Sequence, residues 1–441
     1  MSLRGIPQIL WHYAQTRSRR FRTREELLAW QDRQVKRFLT GILPRSPYYQ
    51  ERLGPLGLDS WRDWPTIDKA EMMRNFDRLN TVGVTAEDAF RVALEAERSR
   101  DFAPMLGPIT VGLSSGTSGN RGLFLVSPSE RFRWAGAMLA RLLPGSILDR
   151  HRVAFFLRAN SNLYETVGSS RIAFEFFDLM EAIEAHVARL NRFQPTVLIG
   201  PPSLLRLLAE HPGLAIAPLK VVSVAEVLDP LDERCLQERF GGVIHQVYQC
   251  TEGFLAVTCA HGTLHLNEDM VAVQREVLDA SNRKFIPILT DFSRTTQPII
   301  RYRLNDILTE RAEPCPCGSV MTALERIEGR SDDLFYFASQ DPARPEAERM
   351  IPVFPDFIRR AVMEAAPEAL EYRVCQHSAE FVEVSLRLPE DAGEVEARVA
   401  TRLAQLADDM GALPPSVTFT PYEAHRSDRK LRRVERRFNL P

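Results

Sequence analysis

Gly112-Leu-Ser-Ser-Gly-Thr-Ser-Gly-Asn-Arg-Gly122 sets four glycines and four hydroxyl residues between two apolar runs, at 109–111 and 123–126. Without a Cβ, glycine lets several backbone N–H groups converge on one anion. The hydroxyls of Ser114, Ser115, Thr117 and Ser118 add donors for phosphate oxygens. The same composition also makes an ordinary turn between two strands. Neither Gly-x-x-x-x-Gly-Lys-Ser/Thr nor Gly-x-Gly-x-x-Gly can be laid onto the stretch. Its Gly-x-x-Gly-x-x-Gly spacing is a different anion cradle, whose meaning depends on its surroundings.

Downstream, short apolar runs alternate with helical periodicity. Helices are expected over 129–143, 179–193 and 202–209, and strands at 153–157, 196–199, 221–224 and 243–248. Strand and helix alternating in this way predict an α/β fold, a mostly parallel sheet flanked by helices. Ligands of such sheets bind beyond the carboxyl ends of the strands, and Glu226 and Glu252 both lie just after a strand. Upstream, residues 8–40 read as two amphipathic helices, the second ending before Gly41. Asp68 reads as a helix cap and Lys69 as a solvated charge. From about 255 the runs shorten to an antiparallel β-rich subdomain, at 264–266, 271–277, 285–290 and 299–302. The polar, proline-rich interval 333–348 reads as a linker or exposed loop. Helices at 355–365 and 394–410 and strands at 381–388 and 416–421 then predict a small α+β domain with a basic tail.

A chain of 441 residues exceeds one small core, so two or three domains are expected. Its 44% hydrophobic and 26% charged residues are those of an ordinary soluble protein. A net charge of −2 gives no bulk attraction to nucleic acid or anionic membrane. No run approaches the ~18 apolar residues of a membrane span, and a signal-peptide apolar core is lacking. Six cysteines are too sparse for a disulfide scaffold, so a reduced, cytoplasmic setting is expected.

Two further constellations carry chemistry. Tyr248-Gln-Cys-Thr-Glu252, with Asp291, Arg301-Tyr-Arg303 and Asp306, offers an aromatic face for a base and carboxylates for ribose hydroxyls or Mg²⁺. Taken one at a time these are structural types: Arg301 and Asp306 pairing across a hairpin, Tyr248 packed in a core. Cys259-x5-His265 with Cys315-Pro-Cys317-Gly318 offers thiolates and an imidazole for tetrahedral zinc, with His261 as an alternative to His265.

In order along the chain, these motifs resemble the phenylacetate–coenzyme A ligase branch of the adenylate-forming (acyl-activating) enzymes. Ser114-Ser-Gly-Thr-Ser-Gly119 is similar to that family's phosphate loop, Val224-Ala-Glu226 to its acidic motif and Tyr248-x-x-Thr-Glu252 to its aromatic-plus-Mg²⁺ motif. Gly262-Thr-Leu-His265, Asp291 and Pro298-Ile-Ile-Arg-Tyr-Arg-x-Asn-Asp306 match the following segments. Arg326-Ile-x-Gly-Arg-Ser-Asp-Asp333 resembles the hinge motif and Lys430-Leu-Arg-Arg433 the C-terminal lysine motif.

The resemblance implies a large N-terminal adenylation domain over 1–331 and a small mobile C-terminal domain over 332–441, hinged at Asp332. A carboxylate, most simply a small aromatic acid, would attack the α-phosphate of ATP, giving an acyl-adenylate and pyrophosphate. The acyl group would then pass to coenzyme A or a carrier-protein phosphopantetheine thiol; an amine or protein thiol is the alternative acceptor. Lys430 would neutralise charge between the two anions. Ser114, Ser115, Gly116, Thr117, Ser118 and Gly119 would hold phosphates, joined in ATP binding by Glu226 and Arg330. Tyr248 would stack on adenine, Asp306 would accept from the ribose, and Glu252, beside Thr251, would hold Mg²⁺. Gln249 and Asn160 would line the acyl pocket. Cys259, His265, Cys315 and Cys317 would form a structural zinc site, as in relatives of this branch. A homodimer is compatible with the sequence.

Three departures stand out. Arg121 replaces a common lysine of the phosphate loop. Gln249 stands where glycine usually follows the tyrosine. The segment after Asp333 lacks the family's glycine-rich turn, which helps deliver the thiol in coenzyme A ligases. A reading from another class takes the basic tail at 425–437 as a nucleic-acid-binding arm on a zinc-bearing scaffold. The near-neutral chain and the Lys430 motif oppose it.

Overall fold

On either side of the glycine-rich stretch, β2 (Ile109–Leu113) and β3 (Leu123–Val126) pair antiparallel, and β1 (Met105–Leu106) completes a three-stranded sheet. The structure is a computed structural model that describes residues 5–99, 104–114, 121–157, 168–389, 394–423 and 430–438. Ser115, Gly116, Thr117, Ser118, Gly119 and Asn160 lie outside the described residues. A Cβ on Gly112 would come within 2.1 Å of the Phe124 ring, so any side chain at this strand position would have to displace that ring. The sheet packs on helix Ala86–Ser99 through Ala89, Ala93, Val111, Leu123 and Leu125. The Gln297 side chain accepts from Leu125 N–H (2.8 Å) and donates to the Leu123 carbonyl (3.2 Å), pairing β3's outer edge.

The chain divides into two compact units, Met1–Leu304 with Thr309–Arg326 and Asn305–Leu308 with Ile327–Pro441. The main sheet has twelve strands. Its parallel part runs β5 (Ile172–Asp178), β4 (His151–Leu157), β6 (Val197–Gly200), β7 (Lys220–Val224) and β8 (Ile244–Cys250). Beyond β8 come β9 (Gly253–Thr258), β10 (Leu264–Leu266), β15 (Ala323–Arg330), β14 (Asp306–Glu310), β12 (Lys284–Asp291) and β11 (Val271–Asp279), and β13 (Ile299–Arg303) pairs with β12. The fold is thus α/β, but the antiparallel strands expected as a separate subdomain continue the same sheet. Helix Pro128–Leu142, opened by a Ser127–Glu130 capping box, covers one face through Ala135, Leu139 and Leu142. Helices Ile183–Phe193, Pro202–Glu210 and Pro230–Phe240 cover the other, over Phe156, Leu198 and Val221.

Several local expectations need correction. The helix expected from 179 starts at Ile183, because Asp178 forms a turn by accepting from Met180 N–H (3.0 Å) and Glu181 N–H (3.0 Å). The residues before it form β5, a strand that the apolar runs did not mark out. Helix Arg24–Ile42 runs through Gly41, where a Cβ would meet nothing within 4 Å. The interval 333–348 is more than a linker: β16 (Phe335–Ala338) pairs antiparallel with β17 (Met350–Val353), with Phe335 and Phe337 buried at period-two spacing. In the same unit β20 (Ser416–Pro421), β19 (Phe381–Arg387), β18 (Glu371–Ser378) and β21 (Val434–Arg436) form a four-stranded sheet with helices Pro355–Ala365 and Val395–Asp409. β18 and β21 are additions to the expected pattern. Among the described residues no helix is long and apolar enough to cross a membrane.

Candidate active site

Ser114 closes the base of the glycine-rich stretch. Its N–H donates to the Gly122 carbonyl (2.7 Å), and its Oγ accepts from Gly122 N–H (2.7 Å). The Lys69 ammonium donates to the same Oγ at 3.1 Å, and a Cβ on Gly122 would stand 2.9 Å from Lys69 Cε. Lys69 is therefore half-buried against the loop rather than a freely solvated charge; the sequence offered no local signal for this. Asp68 does cap helix Lys69–Arg74, accepting from Glu71 N–H at 2.8 Å. Arg121 forms an ion pair with Glu97, so its charge is already answered within the protein.

Ile67 links this loop to the next group of residues. It forms a parallel bridge to Tyr302: its N–H donates to the Arg301 carbonyl (3.1 Å), and its carbonyl accepts from Arg303 N–H (2.8 Å). Tyr302 in turn donates its phenol to Glu252 Oε1 at 2.9 Å, with both side chains buried. Burial and the adjoining carboxylate hold this phenol protonated far above its ordinary range. Tyr302 is a second group whose partner the sequence did not reveal. Arg301, at φ +51°, donates Nε to the Trp64 carbonyl (2.9 Å).

Around Glu252, the Arg294 guanidinium donates to the Thr251 carbonyl. Asp291 is fully buried and accepts from Ser293 N–H (2.8 Å) and Oγ–H (2.6 Å). Burial raises its pKa, while Arg294 and the Ser293 donors pull the other way. Tyr248 is buried in β8, opposite Ala256. Gln249, next along, accepts from the Trp134 indole at 3.1 Å. Glu226 follows Ala225, which has φ +69°, and accepts from Ser203 N–H (3.3 Å) at the start of helix Pro202–Glu210.

In the second unit, Asp306 opens β14 and Arg330 closes β15. Asn305 joins these ends: its side chain donates to Asp332 (2.6 Å), and its carbonyl accepts from Ser331 N–H (2.7 Å). Asp333 is buried beside Arg432; burial raises its pKa and the guanidinium opposes that. Lys430 is half-buried two residues before Arg432. In the basic tail Arg432 faces Asp333, Arg433 faces Glu371 (2.9 Å), and Arg437 faces Glu435 (3.2 Å). Charges engaged in this way leave the nucleic-acid reading without its electrostatic basis at those residues.

Cys259, His265, Cys315 and Cys317 converge, with ligand atoms all within 4.8 Å of one another. Cys259 and Cys315 sulfurs lie 3.7 Å apart, and His265 Nε2 lies 3.4 Å from Cys317 Sγ. A zinc tetrahedron with bonds near 2.3 Å has edges of ~3.8 Å, so the donor set fits. His265 Nδ1 lies 3.2 Å from the Met321 carbonyl; donating there leaves Nε2 free to ligate. Turns at Gly262 (φ +81°) and Gly318 (φ +72°) shape the two cysteine loops. His261 is exposed and is not among the four.

No protein-family model matches the chain. A phenylacetate-coenzyme A ligase from Thermus thermophilus is 21% identical over 93% of this chain and 96% of its own length. A 2-hydroxyisobutyryl-CoA ligase in the postadenylation state superposes with a TM-score of 0.68 at 15% identity, covering 92% of this chain and 89% of that one. The amide bond synthetase McbA from Marinactinospora thermotolerans gives 0.53 at 16% identity, covering 73% and 67% respectively. The chain thus has the fold of these adenylate-forming ligases and is similar in sequence, along almost its whole length, to a phenylacetate-coenzyme A ligase.

Proposed function

We propose that the protein activates a small carboxylic acid, of the aryl type, with ATP and passes the acyl group to a thiol. One observation carries this reading: the bridge between Ile67 and Tyr302 ties the base of the glycine-rich loop, through Lys69 and Ser114, to the buried pair Tyr302–Glu252. A triphosphate with its cation needs such an arrangement, donors and a cation at one end and a metal-binding carboxylate at the other.

A carboxylate oxygen attacks the α-phosphorus, the bond to the bridging oxygen breaks, and pyrophosphate leaves with the electron pair. The thiol then adds to the acyl carbonyl, and AMP leaves. Glu252, oriented by Tyr302, would hold Mg²⁺, which offsets phosphate charge when bound. Lys69 and residues 114–119 hold the leaving pyrophosphate. Tyr248 takes the adenine, Asp306 the ribose hydroxyls, and Arg330 and Glu226 complete the nucleotide contacts. Lys430 would screen the meeting of carboxylate and α-phosphate, with Asp332 as the hinge residue. Cys259, His265, Cys315 and Cys317 would hold a structural zinc ion, cross-linking the loops after β9 and before β15.

The acceptor is coenzyme A or a carrier-protein pantetheine. Transfer to an amine is the second reading, favoured by β16, which takes the place of the family's glycine-rich turn. Acid-dependent pyrophosphate release across aryl and alkyl acids, with and without coenzyme A or amines, tests both steps. Release is expected to depend on ATP and acid and to collapse in Lys430→Ala. Unaltered adenylation in that variant would refute the role given to Lys430, and no release with any acid would refute the function.

A further inference from the structure

Trp134, on helix Pro128–Leu142, donates its indole N–H to Gln249 Oε1 at 3.1 Å. An indole nitrogen can only donate, so the contact fixes the amide's orientation, with oxygen toward the ring and NH₂ away from it. Among the described residues the Gln249 amide nitrogen donates to no protein group. The residue is half-buried, while its amide nitrogen is not among the buried unpartnered polar atoms, so the donor pair stays open to solvent or to a ligand.

Gln249's surroundings are apolar. Val247, two residues back on β8, belongs to the core beneath helix Pro128–Leu142. The register of β8 with β9 slips after Tyr248, so Gln249 faces Phe254 of that same core. Leu157, Phe176, Val224 and Trp134 form a partly buried fringe of the cluster, with Leu157 and Val224 at the carboxyl ends of β4 and β7. A single oriented donor in an apolar wall is costly to cover with hydrocarbon and favourable to cover with an acceptor.

We propose that Gln249, oriented by Trp134, selects carboxylic acids whose acyl portion carries an oxygen acceptor (hydroxyl, carbonyl or ether) over their hydrocarbon counterparts. This rests on the acyl-activating reading and narrows its substrate class. Gln249 is the specificity-determining residue; Trp134 is a positioning residue that holds the amide oxygen to the ring and so keeps the NH₂ turned away from it. A site built to bond a substrate oxygen rejects the analogue lacking it more strongly than an apolar pocket rejects a missing methylene.

The test compares kcat/KM for acid-dependent pyrophosphate release on matched pairs, such as benzoate with the hydroxybenzoates and phenylacetate with mandelate and the hydroxyphenylacetates. The best oxygenated acid is expected to exceed its partner by roughly 10- to 100-fold. Gln249→Met should bring that ratio within roughly threefold of unity. Trp134→Phe, which keeps a ring but removes the donor, should lower it partway, through KM rather than kcat. Thermal stabilisation by ATP reports folding in both variants. Equal rates for matched pairs in the wild type, or a full ratio retained in a folded Gln249→Met, would overturn the proposal. A full ratio in Trp134→Phe removes the positioning role. If Gln249→Met fails to fold, the wild-type ratio and Trp134→Phe decide. A wild type inactive with every acid overturns the acyl-activating reading itself, a separate result from equal rates.

Discussion

Replacing Tyr302 by Phe removes one oxygen and leaves the ring packing in place. The lost contact is a 2.9 Å bond to the buried carboxylate of Glu252, whose side chain sits in a residue only 7% exposed. Hydrogen bonds to ionised groups contribute about 1.5–3 kcal/mol, roughly a 10- to 150-fold change in an equilibrium. Part of that falls on folding, because a carboxylate oxygen is stranded in a poorly hydrated place. The rest falls on Mg²⁺ and ATP, because Glu252 no longer has a fixed orientation. Titrating Mg²⁺ at saturating acid and following pyrophosphate should therefore show the metal requirement and the KM for ATP rising about tenfold or more. The turnover number should change less, since orientation before the reaction is what is lost. A variant with a lowered unfolding midpoint but a metal dependence within twofold of wild type would show that the phenol serves packing alone.

Lys69→Met should raise the KM for ATP by about tenfold, whereas Arg121→Met should have a smaller effect, because Arg121 is already paired with Glu97; equal effects in ATP titrations contradict this. Purified protein should carry zinc near one ion per chain, lost in Cys315→Ser together with thermal stability; equal, near-zero metal in both rules the zinc site out. Burial lowers the pKa of Lys220 from 10.5 to about 8. The unfolded chain keeps that proton to higher pH, so unfolding takes up a proton between those values and stability rises with pH across the window. Below pH 8 the penalty is complete, up to roughly 3 kcal/mol. Lys220→Met should flatten this rise relative to wild type in urea unfolding at pH 7.5 to 10, and parallel profiles would exclude the mechanism.

What could be read from the sequence was what is local. The Cys315-Pro-Cys317-Gly318 turn declares two sulfurs side by side, because a residue with positive φ after the second cysteine reverses the chain. Glu226 and Glu252 were visible as residues at strand ends, since a short apolar run fixes where a buried strand stops. β16 was missed: Phe335 and Phe337 alternate at strand spacing, but the prolines and charges that follow made the whole interval read as a loop. Other features depend on contacts between distant segments. Nothing near Lys69 announces Ser114, and nothing near Tyr302 announces Glu252. The Ile67 bridge to β13 lies beside both pairings, and no periodicity encodes that register. The partner of Arg121 is hidden for the same reason, as Glu97 reaches it from another element.

The bridge at Ile67 also fixes when the site can come into existence. Arg301 and Trp64, bonded beside it, are 237 residues apart in sequence. Closing so long a loop is an entropic cost met only after many nearer contacts have formed. At 5–20 residues per second, roughly 10–40 s of synthesis separates the emergence of the glycine-rich loop from that of β13. Through that interval the loop hairpin can fold on helix Ala86–Ser99, yet Lys69 has no anchored strand to hold it and Glu252 no phenol. Nucleotide-binding competence is therefore acquired late, and pulse-labelled nascent chains should acquire ATP-dependent protease resistance no earlier than the emergence of residue 303 from the ribosome.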